Sequence, residues 1–143
     1  MESLQTLVAS LEVAPYKSRQ IAIEILSNPG VEWGRIKDIN NIGLCIEEAI
    51  YNVKNHTEGQ NATIDLLVGD DGIVVRITDQ GPGFDYKLAI KSIETGLPYS
   101  TKNQDSKTTC GRGLPTILDK ADKVEFNDAG NSISMHFDYT VTG

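Results

Sequence analysis

The 143-residue sequence predicts an α+β domain from three of its stretches. Ile42–His56 carries an apolar stripe at helical spacing. Ala62–Val68 and Ile73–Thr78 are β-rich runs flanking Gly69-Asp70-Asp71-Gly72, and Val124–Asn127 and Ser132–Val141 flank Asp128-Ala129-Gly130-Asn131, so each pair reads as a hairpin.

In chain order, Leu7, Ala9, Leu11 and Val13 alternate with Val8, Ser10 and Glu12, which favours an opening strand over a short helix. Pro15 suits the first turn of a helix through Ile21, Ala22, Ile25 and Leu26, and Asn28-Pro29-Gly30 ends it. After a loop around Trp33-Gly34, the central helix is expected from about Ile36 to His56, with Thr57–Asn61 as its polar exit. Gly81-Pro82-Gly83 breaks the strand that ends near Thr78, and Tyr86–Ile93 suits a short helix. Gly96 to Thr109 is dominated by Ser, Thr, Lys, Asn and Gln and reads as a lid spanning about residues 86–110. Leu114–Ala121 is expected to be a helix starting just after Gly111-Arg112-Gly113. Nothing in the sequence suggests a repeat or linker, so residues 1–143 are expected to form one domain.

Composition narrows the function classes. Thirteen Lys and Arg against 20 Asp and Glu give a net charge of −7 with no basic cluster, which argues against nucleic acid as a partner. No apolar run reaches membrane-spanning length, and Met1-Glu2-Ser3 lacks the basic start of a secretory signal, so the expected location is cytoplasmic, away from membrane. Cys45 and Cys110 stand in no metal-ligand spacing and are expected to be reduced thiols.

At about 100° per residue, Ile42, Cys45, Ile46, Ala49 and Val53 form the buried stripe of the central helix. Glu48 and Asn52, four apart, stack at its margin, while Glu47, Tyr51 and Lys54 face water. A carboxylate and a carboxamide so placed can hold hydrated Mg²⁺ and orient a hydroxyl; alone, the pair also fits an amphipathic helix with a solvated polar edge. Asp79-Gln80-Gly81-Pro82-Gly83 follows a strand. Its carboxylate can accept a hydrogen bond from an exocyclic amine, and its glycines let a flat ring approach, although a plain turn has the same composition. Gly111-Arg112-Gly113-Leu114 offers unencumbered backbone N–H groups at a helix start, a setting that favours phosphate and equally fits a glycine-rich loop.

Taken in this order, E-x-x-x-N with His56 four residues on, D-x-G-x-G after a strand, a polar lid and G-x-G-L before a helix resemble the GHKL ATPase superfamily of gyrase, Hsp90, histidine kinases and MutL. The resemblance spans nearly the whole chain. Size, the leading strand and helix, the N-box pattern, D-Q-G-P-G and G-L-P make it most similar to the anti-sigma-factor serine kinases and stressosome switch kinases. It implies a Bergerat two-layer α+β sandwich, with helices on one face of a mixed, mostly antiparallel sheet. It further implies Mg²⁺ on Asn52, Glu48 as the group that positions or deprotonates the attacking hydroxyl, and Asp79 as the adenine reader. Gly81 and Gly83 would shape the adenine pocket, and Gly111 and Gly113 would meet the phosphates, with Leu114 beside them. Arg112 fits a solvated arginine more readily than one reaching a terminal phosphate, and Lys102 in Tyr99-Ser100-Thr101-Lys102 fits equally a phosphate contact from the lid and a solvated loop lysine. That lid motif is closer to histidine kinases than to the anti-sigma kinases. His56 is expected to pack at the helix end.

The expected activity is ATP-dependent phosphorylation of a STAS-type anti-sigma-factor antagonist and/or sequestration of a sigma factor, with homodimerisation compatible. Two alternatives stand beside it. One is a nucleotide-gated binding module without kinase activity, and the other is a detached histidine-kinase catalytic domain.

Overall fold

The structure, a computed structural model, describes residues 5–56, 61–81, 83, 86–87, 90–91 and 110–140, with the side chains of residues 55, 56 and 110–113 left aside. Five strands form one sheet: β1 (Thr6–Val13), β2 (Ala62–Val68), β3 (Gly72–Thr78), β4 (Lys123–Phe126) and β5 (Ser132–Asp138), in the order β1-β2-β3-β5-β4. Every pairing is antiparallel, so the expected mixed, mostly antiparallel sheet is antiparallel throughout these strands. The helices described over their full printed range are α1 (Ser18–Leu26), α2 (Ile39–His56) and α3 (Cys110–Lys120).

Strand alternation divides the sheet into two faces. Ile64, Leu66, Ile73, Val75, Ile77, Met135 and Phe137 turn inward and share one core with Ile21, Ala22 and Ile25 of α1, the stripe of α2, and Ile117 of α3. Ser10, Asp65, Arg76 and Ser134 form a cross-strand row on the opposite face. There the Ser10 hydroxyl donates to Asp65 Oδ1 at 2.6 Å, and Arg76 Nη2 stands 3.2 Å from Asp65 Oδ2. The helices therefore cover one side of the sheet, giving an α+β two-layer sandwich.

In α2 the expected stripe is buried throughout, and Ile50 joins it with no exposed surface. The buried arc is wider than one stripe because α2 packs against α1, α3 and the sheet at once. Truncating a residue such as Ile46 there costs about 2–5 kcal/mol.

The structure departs from the sequence-based expectation in several places. The central helix starts at Ile39 and not at Ile36, because Ile36 bridges Tyr139, Thr140 N–H donates to Arg35 C=O, and the Arg35 guanidinium lies over the Tyr139 ring. Asp38 Oδ1 then accepts the Asn40 N–H and opens the helix in a capping role. A register shift between Leu7 and Ala9 makes Val8 the extra residue of a bulge, which leaves Leu7 53% exposed and turns Ala9 towards the core side. Helix α3 starts at Cys110, so Gly111-Arg112-Gly113 belongs to its first turn and does not precede it. The expected short helix after Gly83 is helical at residues 86–87 and 90–91; its remainder and the lid from Gly96 to Thr109 lie outside the described residues.

Candidate functional site

A narrow, solvent-open cleft lies where α2, the end of β3, the β4–β5 turn and α3 converge. Ala49 and Val53 of α2, Ile77 of β3 and Leu114 of α3 give it apolar walls. Asn52, Asp79, Asn131 and Ser132 bring polar groups to its lining. A flat heteroaromatic ring suits such a site: apolar surfaces for its faces and a few directed polar groups for its edge.

Each polar group is positioned by its element. Asn52 is one helical turn beyond Glu48, and the buried stripe of α2 fixes the direction of both. Asp79 is the first residue past β3. Its N–H donates to Asn131 C=O at 2.8 Å, and its Oδ1 accepts the Gly81 N–H at 2.7 Å, which closes an Asx-type turn. Gly83 has a φ of +85°, and a Cβ there would lie 1.7 Å from the carbonyl oxygen of Ala129. The chain can pass so close to the β4–β5 turn only as glycine.

The side-chain oxygen of Asn52 is the least expected atom of the site. Oδ1 is buried and finds no hydrogen-bond partner among the described residues. An orphaned buried acceptor costs about 1–3 kcal/mol, and natural folds keep few of them. A hard cation is a natural partner for a lone amide oxygen, so this atom fits Mg²⁺.

Asn52, Asp79 and Leu114 line the same pocket, and Gly81 is tied to its wall, its C=O accepting from the Asn131 amide Nδ2 at 3.4 Å. Glu48 is half-buried one turn away on α2 and does not line the pocket. Gly111 and Gly113 sit in the first turn of α3, where the leading backbone N–H groups, up to residue 112, lack intrahelical partners. The side chain of Arg112 and all of Lys102 lie outside the described residues, as does the His56 side chain.

The walls supplied by Phe126, Gly130, Asn131, Ser132 and Ile133 are absent from the sequence-based site, which treated this turn as a hairpin loop. The signal for them is the β3–β5 register: Thr78 opposes Ser132, so the next residues, Asp79 and Asn131, face each other. Thr78 and Ser132 hydroxyls share a hydrogen bond of 2.9 Å, and the Tyr86 ring stacks on Phe126 at 4.5 Å between centroids.

Cys45 lies behind the site as an unpaired, buried thiol. Burial, reinforced by the Glu48 carboxylate and opposed by Lys120, pushes its pKa from 9.0 up to about 12. It is therefore a packing group and a poor nucleophile. Among the described residues no helix is long and apolar enough to cross a membrane.

Comparison with known proteins agrees with this arrangement. The profile of the histidine kinase-like ATPase domain matches residues 9–137, which take in all five strands except the first three residues of β1 and the last of β5. The serine-protein kinase RsbW of Staphylococcus epidermidis is 33% identical over 117 residues, covering 78% of this chain and 70% of the relative. The same kinase from two named strains of that species, ATCC 12228 and RP62A, matches to the same extent. The chain belongs to the histidine kinase-like ATPase family of the GHKL superfamily, as an ATP-binding, kinase-type ATPase.

Proposed function

We propose that the chain is an ATP-dependent protein-serine/threonine kinase of the cytoplasm that phosphorylates a STAS-type anti-sigma-factor antagonist and, through the same nucleotide cycle, captures a sigma factor. The observation that carries this reading is the juxtaposition of Asn52 and Asp79 in one pocket, with an unpartnered amide oxygen on one side and a fixed carboxylate on the other. Resemblance to a serine-protein kinase supports hydroxyl rather than imidazole as the acceptor.

In this reading the adenine ring enters between Val53 and Leu114, and Asp79 accepts its exocyclic amine. Asn52 would hold a magnesium ion that arrives with the phosphates and, when bound, offsets their charge. The first turn of α3 directs backbone N–H groups to the phosphates. Glu48, on the Asn52 side of α2, orients the acceptor hydroxyl and takes its proton. Phosphoryl transfer depends mainly on positioning and charge stabilisation, so these few groups are enough for it.

The test is an ATP-loaded pull-down from the source lysate with intact-mass analysis of the captured proteins, comparing wild type with Glu48→Ala. A STAS-like protein that gains acid-stable phosphate with wild type alone supports the proposal. Acid-labile phosphate would instead mark a detached histidine-kinase domain. Capture of a regulator with no mass change in either case would overturn the kinase assignment and leave a nucleotide-gated binding module.

A further inference from the structure

We infer that Asn127 is a positioning residue for nucleotide base recognition, acting through the β4–β5 turn on Asp79. The inference rests on the proposed reading of Asp79 as the group that meets the adenine edge.

Asn127 closes the turn almost single-handedly. Its Oδ1 accepts the backbone N–H groups of Asn131 at 3.0 Å and Ser132 at 3.1 Å, and its Nδ2 donates to Asn131 Oδ1 at 2.7 Å. Its own backbone N–H donates to Ser132 C=O, and its C=O accepts from Gly130. The Nδ2 contact also settles the orientation of the Asn131 amide: with Oδ1 occupied by Asn127, Nδ2 of Asn131 is left facing Gly81, whose carbonyl it reaches at 3.4 Å.

Asn131 then grips the Asp79 loop at two points. Its C=O accepts the Asp79 N–H, and its side-chain Nδ2 donates to the Gly81 C=O; between them, the Gly81 N–H donates to Asp79 Oδ1. The carboxylate direction is thus set by a chain of hydrogen bonds that begins at Asn127. That residue is exposed and does not line the pocket, so it touches no base itself. Adenine presents an amine at the position where hypoxanthine presents a carbonyl, and only the amine can donate to a carboxylate. A correctly aimed Asp79 therefore favours ADP over IDP, and a loosened one loses preference for either.

The experiment measures dissociation constants for ADP and IDP by calorimetry on wild type, Asp79→Ala, Asn127→Ala and Asn127→Asp. Asp79→Ala tests the underlying reading: if it leaves the ADP-to-IDP preference intact, Asp79 is not the base reader and the pocket assignment fails. If Asp79→Ala abolishes the preference, the inference expects Asn127→Ala to reduce it at least fivefold. Asn127→Asp, which keeps the acceptor for both backbone amides but loses the Nδ2 donor that orients the Asn131 amide, should fall between wild type and Asn127→Ala. A merely structural role would lower both affinities equally and leave their ratio at the wild-type value, and that outcome overturns the inference. Should Asn127→Ala fail to fold, Asn127→Ser, whose shorter hydroxyl reaches at most one of the two amides, carries the same comparison of ratios.

Discussion

Replacing Gly83 by alanine sets two parts of the site against each other. The left-handed backbone at φ +85° costs an alanine about 1–2 kcal/mol. The larger effect is steric: the new Cβ starts 1.7 Å from Ala129 O, and bringing it to 3.0 Å needs a separation of about 1.3 Å between the Asp79–Gly83 loop and the β4–β5 turn. The Asp79 N–H to Asn131 C=O bond, 2.8 Å long, spans that same junction and would open beyond hydrogen-bonding range. Its loss adds about 1 kcal/mol. A total of about 2–3 kcal/mol is expected, paid either as global stability, lowering Tm by about 10 °C, or as a displaced loop with ADP affinity down at least tenfold. Thermal unfolding with and without ADP, followed by calorimetric titration, separates the two. Gly34→Ala is the control, since nothing lies within 4 Å of a Cβ built there. The reasoning is refuted if Gly83→Ala matches Gly34→Ala in both melting temperature and affinity.

Removing the orphaned oxygen with Asn52→Ala should leave the melting temperature of the nucleotide-free protein unchanged or slightly raised while abolishing the Mg²⁺-dependent part of its stabilisation by ATP, read by a thermal-shift titration with and without the metal. The Cys45 thiol has a folded pKa of about 12 against 9.0. Above pH 9 the unfolded chain therefore releases this proton first, and stability falls with rising pH by up to about 1.4 kcal/mol per unit. Cys45→Ala should show a shallower alkaline slope in denaturant melts between pH 9 and 11, and wild-type thiol should resist alkylation at pH 8 until the protein unfolds. Arg76→Ala breaks a cross-strand pair with Asp65 in which the arginine side chain is 41% exposed, so about 0.5–1 kcal/mol of stability should be lost, with ADP affinity unchanged. A urea-melt midpoint shift larger than that would mean the row on the open face supports the core more than its exposure suggests.

Features governed by near neighbours were legible in the sequence. Both hairpins stand where their turn residues placed them, and the stripe Ile42, Cys45, Ile46, Ala49 and Val53 is buried as its spacing required. Asn52 and Asp79 were readable as site candidates from an amide at helical register and an acid just past a strand. What escaped depends on residues far apart in the chain. Ile36 is pulled out of the helix by Tyr139, a partner no local pattern announces. Ile50 is buried because α2 is packed on by two helices and the sheet at once, and α3 starts earlier than its glycines suggested because tertiary packing outweighs their modest helix penalty. Asn131 and Ser132 become pocket walls only because β5 pairs with β3 and not solely with its hairpin partner.

That placement of β5 governs when the pocket can exist. The strand follows all the others in sequence yet is inserted between β3 and β4, so β4 reaches the sheet only through it. During synthesis α2 and the β2–β3 hairpin can assemble while β5 is still unmade, but the acceptor for the Asp79 N–H is then missing. The nascent chain is thus expected to be blind to nucleotide until its final hairpin docks. From that moment, ligand bridging α2 and the β4–β5 turn stabilises the docking of this hairpin and raises the cost of releasing it.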